Sequence, residues 1–491
     1  MLISCLLFLF VVPCLADWQQ MSSTRAIALR AQRDVMKNTT ILNSAVFGVN
    51  LNTVLFNNYG YNATSLDYME SLMDVGAQAF ELNLYYNEDL GDWGLADFTS
   101  NEASFGFNGT SDFNITRLLT RINQFTSITE TNLNANIMFL LLNLYSTSSS
   151  DENHKTGETG LATTFSNLMY AANPYYYKTL ENITLNYYLF GDQLRIIPVI
   201  MSNNLGHNAS YDLSNDLNLF YEANKTIPIK MSESQDTECV EPSSFQFAYD
   251  TEQHPYNNES FRSDLVCGYS AIITQPLADI SDISLLLPYT YWSWEASEPN
   301  STISNSHHQQ NTNDTTEARD DDYLNRCAIS TPNGWKAVSC ELKLPVACSL
   351  QGNRTHFRLT DDKYSYFEAD DACAGMDEGN YFFPVPSTPY EQLSLSQILP
   401  SDTHGVWINL NSLSSSNCWV YGGPNALCPY QHIVSRRIFK EMISPASVIA
   451  LVLFCLIVLV QVDRLPVHRN RKHWRRVLKR KLQNEFEGIP S

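Results

Sequence analysis

The stretch GAQAFELNLYYNEDLGDW, residues 76–93, decides the fold of the first half of this 491-residue chain. It begins as a short apolar run containing Ala79, Phe80, Leu82 and Leu84, and it ends in carboxylates and amides. This pattern of residues is typical of a buried strand that is followed by a loop. Acidic groups at the carboxyl ends of parallel strands are where barrel enzymes keep their active sites. The stretch therefore indicates either an active site or the remains of one.

Apolar runs of the same kind alternate with stretches of helical periodicity. In residues 65–77 the apolar side chains fall on one face, Ser65 is the expected N-cap and Gly76 lies near the end. Near-continuous apolar strands separated by helices indicate a parallel sheet covered on both faces. Six such units favour an α/β fold of the (β/α) TIM-barrel type over an open doubly wound sheet. The six runs are AVFGVNL (45–51), AFELNLYY (79–86), ANIMFLLLNLY (135–145), RIIPVIMS (195–202), FQFAY (245–249) and AIITQPL (271–277).

The two ends of the chain carry the patterns of targeting segments. Residues 1–16 are apolar and end in a small-residue cleavage pattern, which predicts a secretory signal peptide. Residues 443–462 are apolar and long enough to cross a hydrocarbon core of about 30 Å. Residues 463–491 are rich in Lys and Arg, which stay in the cytosol beside a span. We therefore expect a single-pass type I membrane protein of the secretory pathway or cell surface, with anionic lipid near its cytosolic tail.

The charge and the glycosylation pattern agree with this topology. The whole chain carries a net charge of −21 although its tail is basic, so the predicted lumenal body is strongly acidic. An acidic body repels nucleic-acid backbones, and we expect no direct nucleic-acid partner. Eleven N-X-S/T sequons in the body, and none in the tail, predict heavy N-glycosylation. The sequons begin at Asn38, Asn62, Asn108, Asn114, Asn182, Asn208, Asn224, Asn258, Asn300, Asn313 and Asn353.

The cysteines indicate an oxidising compartment. Of the 11 cysteines, Cys5 and Cys14 lie in the predicted signal peptide and Cys455 lies in the predicted span. The others are even in number and lack metal-binding spacing, so they predict disulfides, and we expect neither a metal nor another cofactor. They are Cys239, Cys267, Cys327, Cys340, Cys348, Cys373, Cys418 and Cys428.

The composition of the chain changes at about Pro288. A polar loop follows at residues 305–322, and its His307-His308 pair is expected to be solvated rather than to bind a metal. Cysteine and tryptophan then become frequent, which predicts a second, disulfide-rich α+β module. The expected segments are a signal peptide (1–16), a barrel with an N-terminal extension (17–287), the second module (288–430), a linker (431–442), a transmembrane helix (443–462) and a cytosolic tail (463–491).

The barrel sequence resembles the opening of the phosphatidylinositol-specific phospholipase C-like phosphodiesterases, over GVNLNTVLFNN (48–58) and YMESLMDVGAQAFELNLYYNED (68–89). The resemblance implies a catalytic histidine on the first strand and a Glu-x-Asp pair on the second, which holds a metal in the metal-dependent members. Here Glu81 matches the first acid, Asn83 stands where Asp is expected, and the first strand has no histidine. Proton transfer contributes roughly 10²–10⁴-fold to such reactions, and a lost carboxylate weakens a hard-cation site. We therefore expect Glu81 and Asn83 to be relics of an active site.

Three carboxylates follow this stretch in a predicted loop. They are Glu88, Asp89 and Asp92. We expect them to be solvated, with a weak cation site as the alternative.

Two stretches of the second module resemble the halves of a C-type lectin-like domain in reversed order. Residues 291–300 and 326–348 are similar to the second half, and residues 364–411 are similar to the first half. The reversed order suggests a circular permutation, and two separate degraded modules are the alternative. In the sugar-binding members a Glu-Pro-Asn triplet and a Trp-Asn-Asp triplet ligate calcium. This chain has Glu298-Pro299-Asn300 but Trp335-Lys336-Ala337, so we expect a structural role for the first triplet.

The same resemblance implies a disulfide pattern. It pairs Cys348 with Cys373 and Cys327 with Cys340, and it leaves Cys418 with Cys428 and Cys239 with Cys267. Only a single permuted module makes the Cys348–Cys373 bond, because two separate modules would leave Cys373 without this partner.

The order of segments, together with LRAQRDV (29–35), resembles the budding-yeast maintenance of telomere capping protein 6 family. The resemblance implies a single-pass membrane glycoprotein linked to telomere capping, and a lumenal acidic body makes an indirect link the expectation. We expect a non-catalytic body that binds a protein or glycan partner. The alternative is a lumenal barrel hydrolase of the phosphodiesterase or glycoside type, because two carboxylates about 5–10 Å apart can act without histidine.

Overall fold

The structure is a computed structural model that falls into two compact units, Met1–Tyr430 and Gln431–Ser491. It describes residues 21–88, 91–96, 113–131, 134–147, 159–205, 211–223, 225, 229–233, 239, 241–275, 283–300, 325–376, 379–400, 403–430, 449–458 and 471–484. The predicted signal peptide lies outside these residues.

A nine-stranded sheet forms the first part of the larger unit. Its strand order is β6-β5-β4-β2-β1-β9-β8-β7, and every neighbouring pair is parallel except the hairpin of β3 on β2. The strands are β1 (Val46–Asn50), β2 (Ala79–Asn87), β3 (Asp92–Gly94), β4 (Met138–Thr147), β5 (Ile196–Asn204), β6 (Tyr221–Glu222), β7 (Ile229–Glu233), β8 (Phe245–Tyr249) and β9 (Ala271–Thr274).

The sheet curls around an apolar interior. Phe139 on β4 contacts Phe245 and Phe247 on β8, with ring centroids 5.8 and 5.4 Å apart. Three strands separate β4 from β8 within the sheet, so these rings can meet only if the sheet bends back on itself. Within the described residues β6 and β7 do not pair, and the barrel is therefore partial. All six predicted apolar runs form parallel strands of this sheet.

Helices cover the sheet between its strands. Helix α3 (Ala63–Asp74) begins after Asn62, whose Oδ1 accepts a hydrogen bond from the Ser65 backbone N–H at 3.1 Å. The prediction of Ser65 as the N-cap is therefore wrong. Asn62 takes that position, since asparagine caps helices at least as well as serine, while the Ser65 hydroxyl donates to the Gly60 carbonyl. The other helices of this part are α2 (Asn57–Tyr59), α4 (Ile115–Ile128), α5 (Leu161–Thr164), α6 (Asn258–Cys267) and α7 (Ile283–Leu286).

Helix α1 (Ser23–Met36) precedes the sheet and joins the barrel to the second module. Arg33 donates to the Ala135 carbonyl beside β4 at 2.7 Å, and also to the hydroxyl of Tyr430 at 2.7 Å. Arg25 donates to Thr290 Oγ1 at 2.6 Å. Burial lowers the pKa of Arg25 to about 10, although the nearby Tyr291 opposes this shift. Arg33, which lies in the family-like stretch 29–35, thus makes one of these contacts.

The second module contains two three-stranded sheets, ordered β11-β10-β15 and β13-β12-β14. Strand β15 (Val406–Asn411) lies in the stretch that resembles a first half, and it pairs with β10 (Cys327–Thr331) from the stretch that resembles a second half. The two stretches therefore fold together. The remaining elements are β11 (Gly334–Val338), β12 (Ala347–Leu350), β13 (Asn353–Leu359), β14 (Tyr381–Phe382), α8 (Ala369–Ala374) and α9 (Pro389–Ile398).

Four disulfides join the eight cysteines of the body. The bonds are Cys239–Cys267, Cys327–Cys340, Cys348–Cys373 and Cys418–Cys428, which are the four pairs that the resemblance implies. The Cys348–Cys373 bond and the β10–β15 pairing exclude two separate modules. A lectin-like identity for the single module stays a prediction.

In the second unit the structure describes helix α10 (residues 449–458) and helix α11 (Arg471–Asn484). Among the residues described for the whole chain, no helix combines the length and the apolar character that a bilayer crossing requires. Residues 443–448 and 459–462 of the predicted span lie outside the described residues.

Candidate functional site

Polar side chains lie together on three adjacent strands, at the level where β1 ends. Asn50 ends β1, Glu81 and Asn83 lie on β2, and Asn143 lies on β4. The strand register places Asn50 opposite Glu81, and Asn83 opposite Asn143. In a barrel this edge of the sheet is where functional groups collect. The sequence predicted Glu81 and Asn83 but missed Asn50 and Asn143.

Glu81 is buried in this site, with 7% of its surface exposed. Its Oε1 accepts a hydrogen bond from Asn143 Nδ2 at 2.6 Å. Its Oε2 is buried and accepts no hydrogen bond of good geometry from the described residues. Burial raises the pKa of Glu81, and the side-chain amides of Asn143, Gln275 and Asn50 oppose that rise. The site therefore favours the protonated carboxyl more than water does.

Amides and a hydroxyl group occupy the neighbourhood of Glu81. Asn143 Nδ2 lies 3.4 Å from Asn83 Oδ1, and Ser202 Oγ donates to Asn143 Oδ1 at 2.7 Å. The backbone N–H of Asn83 donates to Asn52 Oδ1 at 2.7 Å. Side-chain amides and serine hydroxyls donate and accept hydrogen bonds but do not titrate near neutral pH. These groups can orient Glu81, but none of them acts as an acid or base near neutral pH.

A second buried carboxylate, Asp250, follows β8. Its Oδ1 accepts from the Gln275 backbone N–H at 2.7 Å, and its Oδ2 accepts from Thr274 Oγ1 at 2.9 Å. Oδ2 also accepts from the Tyr256 backbone N–H at 3.2 Å. Burial raises the pKa of Asp250, whereas these hydrogen bonds lower it. Both oxygens are thus engaged in holding the loop after β8 to the end of β9.

The described part of this site holds neither a histidine nor a metal-ligand cluster. Strand β1 and the π-helical turn Asn52–Phe56 that follows it contain no histidine. His254, the only histidine among the described residues of the barrel, is exposed in the turn after β8. Across the described residues, no three or more His, Cys, Asp or Glu side chains are grouped to ligate a metal ion. Tyr249 is a titratable neighbour of Glu81, and burial together with the charge of Glu81 raises the pKa of its hydroxyl group.

The carboxylates after β2 do not behave as one solvated loop. Glu88 is 6% exposed, so the expectation of a solvated side chain is wrong for it. The cause is the hairpin, because β2 continues to Asn87 and folds back through β3, which pairs Asn87 with Asp92. Asp92 is exposed as expected, and Asp89 lies outside the described residues.

The triplet at residues 298–300 directs its carboxylate into the second module. Glu298 Oε2 accepts hydrogen bonds from the backbone N–H groups of Asn300 and Ala337, at 2.6 and 3.3 Å. Burial raises the pKa of Glu298, and these hydrogen bonds and the charge of Lys336 lower it. The carboxylate is therefore engaged within the module, and the charges near it are those of Lys336 and Glu295.

Most sequon asparagines that the structure describes are exposed. Asn62, the N-cap of α3, is half-buried. The exposed ones are Asn38, Asn114, Asn182, Asn258, Asn300 and Asn353. Asn108, Asn208, Asn224 and Asn313 lie outside the described residues, as do His307 and His308. Glycosylation at these positions stays a prediction.

One solved structure aligns with about half of this chain. A solved structure titled calcium-dependent phosphoinositol-specific phospholipase C, from a Gram-negative Pseudomonas, aligns with 49% of this chain and 92% of its own. The sequence identity is 11% and the TM-score is 0.32, which is too low to establish a shared fold.

Curated relatives match over nearly the whole chain. A Komagataella phaffii protein is 26% identical over 100% of both chains. A Lachancea thermotolerans protein is 29% identical and covers 99% of this chain and 98% of its own length. A Saccharomyces cerevisiae protein is 29% identical over 96% of this chain and 93% of its own. All three are named Maintenance of telomere capping protein 6. The family model described as the MTC6 partial TIM-barrel domain matches residues 19–293, and the chain belongs to this family.

Proposed function

We propose that this chain is a non-catalytic, single-pass type I membrane glycoprotein of the secretory pathway or cell surface. Its lumenal body binds a protein or glycan partner, and it supports telomere capping indirectly. The observation that carries the non-catalytic assignment is the surroundings of Glu81. This buried carboxyl is held by Asn143 among other amides, and among the described residues no histidine lies beside it to act as a base.

The membrane and glycoprotein assignments rest on the sequence and on the exposed surface. The apolar segments 1–16 and 443–462 flank an acidic body, and six of its sequon asparagines are exposed. Four disulfides fit an oxidising compartment. The name of the relatives supplies the link to telomere capping. A lumenal body could affect telomeres only through other components, and this is why the proposed role is indirect.

Helix α11 supports contact of the tail with anionic lipid. It carries Trp474, Leu478 and Leu482 at intervals of four residues, so their exposed side chains form one stripe along the helix. Lys and Arg occupy much of the remaining surface. A basic amphipathic helix of this kind lies in the interface of a membrane with its apolar face inserted.

The hydrolase alternative needs a second available carboxylate near Glu81. Asp250, which follows β8, already accepts a hydrogen bond from the protein on each of its oxygens, and Glu88, which directly follows β2, is buried. A glycosidase-type mechanism requires one carboxyl as acid and another as base or nucleophile.

Replacing Glu81 with glutamine in cells tests the non-catalytic assignment. We expect Glu81→Gln to keep normal protein abundance and normal telomere capping, because glutamine retains an oxygen that accepts from Asn143. Asp250→Asn is the matched control, and we expect lower abundance because it disturbs the hydrogen bonds that hold the loop after β8. Loss of capping by Glu81→Gln at normal abundance and glycosylation would favour the hydrolase instead.

Protease accessibility tests the topology. In intact microsomes the tail from Arg464 should be cleaved while the body is protected, and enzymatic deglycosylation should shift the full-length protein by many kilodaltons. A protected tail or an unshifted band contradicts the type I assignment. A separate experiment addresses the partner. Proteins or glycans that co-purify with the full-length protein would identify it.

A further inference from the structure

A cavity of about 380 Å³ lies between the end of α1 and the second module. Phe382 and Tyr421 supply aromatic walls, and Arg354 and Asn409 supply polar groups. Small-ligand sites commonly combine apolar walls with a few placed polar groups in this way. Asn38, the first sequon asparagine, belongs to the lining of the same cavity.

The backbone on both sides of Asn38 is fixed. The Lys37 carbonyl accepts from the Asn186 backbone N–H at 2.7 Å, and the Thr39 carbonyl accepts from the Leu185 backbone N–H at 2.9 Å. Asn38 Nδ2 lies 3.4 Å from the hydroxyl oxygen of Tyr421. Nδ2 is the atom that carries the sugar in an N-linked glycan. The attachment atom is therefore held at the cavity wall and close to an aromatic residue.

The opposite wall is also held in place. Arg354 donates through Nε to Glu391 Oε1 at 2.8 Å and through Nη2 to Ser387 Oγ at 3.0 Å. Asn409 Oδ1 accepts from the Gly423 backbone N–H at 2.8 Å and thereby positions the loop that carries Tyr421. Tyr421 is nevertheless 38% exposed, with the Lys37 ammonium 5.4 Å from the centroid of its ring.

We propose that the N-glycan on Asn38 packs its core N-acetylglucosamine residues into this cavity, against Tyr421 and Phe382. The proposal rests on the proposed passage of the chain through the secretory pathway. A pyranose ring has an apolar C–H face that suits an aromatic ring. Its hydroxyl and acetamido groups can bond to the arginine and amide groups of the lining.

Attachment of the glycan follows ordinary transfer chemistry. A lipid-linked oligosaccharide diphosphate donates the sugar to Asn38 Nδ2, which loses one proton as its bond to the anomeric carbon forms. The bond between that carbon and the diphosphate oxygen breaks, and the lipid diphosphate leaves. Transfer to the unfolded chain requires no access to the cavity, and folding then closes the second module around the attached sugar. Once docked, the glycan connects α1 to the second module.

Site-resolved endoglycosidase digestion tests this docking. The full-length protein, solubilised in detergent, would be treated with an enzyme that cleaves between the two core N-acetylglucosamine residues. Glycopeptide mass spectrometry would follow Asn38 and Asn258, whose side chain is exposed on the first residue of α6. We expect cleavage at Asn38 to be at least about tenfold slower than at Asn258 in the native protein, which corresponds to about 1.4 kcal/mol of protection. The rates should become equal after denaturation.

Two variants separate docking from general burial. Tyr421→Ala should raise the Asn38 rate to that of Asn258, whereas Tyr421→Phe should keep the protection because it keeps the ring. Equal native rates at the two sites, or occupancy at Asn258 without occupancy at Asn38, would overturn the docking proposal alone. Absence of glycan from every sequon would instead overturn the secretory function on which it rests.

Discussion

The side-chain oxygen of Gln32 accepts hydrogen bonds from both the backbone N–H and the hydroxyl group of Ser293, at 3.3 and 3.1 Å. The same oxygen accepts from the backbone N–H of Trp292 at 3.0 Å. One buried acceptor on α1 therefore serves three donors in the segment that leads from the barrel into the second module.

Replacing Gln32 with alanine should destabilise this junction. Each buried donor that loses its partner costs about 1–3 kcal/mol, and we expect a total loss of about 3 kcal/mol because the three donors share one acceptor and water can reach part of the space. Thermal unfolding of the full-length protein in detergent would measure the loss. Gln351→Ala, at an exposed position, is the control and should leave the midpoint unchanged. Equal midpoints for Gln32→Ala and Gln351→Ala would contradict the contribution of Gln32 to the stability of this junction.

The effect of Glu81→Gln on stability should depend on pH. Burial raises the pKa of Glu81, so the folded state holds its proton at pH values where the unfolded chain has lost it. Below the unfolded value of 4.5 the wild type carries no penalty from this group, and as the pH rises towards the folded pKa it loses stability. The variant lacks this titration. Its stability relative to wild type should therefore rise between pH 4 and pH 7, measured by denaturant unfolding at each pH. A constant difference would contradict the raised pKa.

The pKa of Glu368 is lowered rather than raised, so its contribution to stability should depend on pH in the opposite direction from that of Glu81. Hydrogen bonds from Lys343 and from the Ser365 backbone and hydroxyl groups lower the pKa of Glu368 to about 2. The stability that this ionised group contributes is present above the unfolded value of 4.5 and is lost as the pH falls towards 2. For Glu368→Gln we therefore expect the wild type to be the more stable protein at pH 7 and the difference to vanish in acid. If the stabilities of Glu81→Gln and Glu368→Gln relative to wild type changed with pH in the same direction, the measurement would be reporting a general effect of acid on the protein rather than these two carboxyl groups.

Removing Cys348 should release Cys373 and destabilise the second module. The Cys348–Cys373 bond closes a sequence separation of 25, for which loop entropy predicts about 3–4 kcal/mol. We expect Cys348→Ser to expose Cys373 to maleimide and to cause retention in the endoplasmic reticulum. Cys418→Ser is the control, because its separation of 10 predicts a loss smaller by about 1 kcal/mol. Peptide mapping that found Cys373 joined to Cys418 or Cys428 in the wild type would reject the single-module arrangement.

Gly48 is required by the close approach of β1 and β2. Gly48 pairs with Ala79, and a Cβ atom at Gly48 would lie 2.5 Å from Ala79 Cβ and 2.7 Å from Ala79 O. Gly48→Ala must push these central strands apart, so we expect a loss of about 1–3 kcal/mol in thermal unfolding. Adding Ala79→Gly should recover only part of it, because the contact with the backbone oxygen remains. Gly375→Ala, whose nearest neighbour would be 3.4 Å away, should change little.

The sequence predicted those parts of the fold that burial on two faces determines. A strand covered on both sides needs apolar residues at nearly every position, and for this reason the six long runs could be recognised. Strands β3, β6 and β7 were missed, because DWG, YE and IKMSE show neither a long apolar run nor clear alternation. Their pairing is determined by neighbouring strands rather than by their own sequences.

Only some residues of the candidate site could be predicted from the sequence, because the others are brought to the site by strand pairing. Glu81 and Asn83 could be proposed because they follow an apolar run at a spacing that resembles a known motif. Asn143 sits alone within FLLLNLY, and only its register with Asn83 brings its amide to Glu81. A single polar residue inside a long apolar run is the signal that would have identified it. Asp250, which directly follows FQFAY, carries a similar signal.

The bond between Arg33 and Tyr430 has a consequence for how this protein is made. The two residues are 397 positions apart, and Tyr430 also donates to the neighbouring Asp34 at 2.7 Å. Ribosomes add about 5–20 residues per second, so roughly 20–80 s pass between the synthesis of the arginine and that of its partner. On the proposed type I topology, α1 is in the lumen during that interval without its contact to Tyr430, and lumenal chaperones have time to bind it. A nascent chain that stops before Tyr430 never forms the contact of this tyrosine with Arg33 and Asp34, so this end of the helix can report to quality control whether translation of the body has been completed.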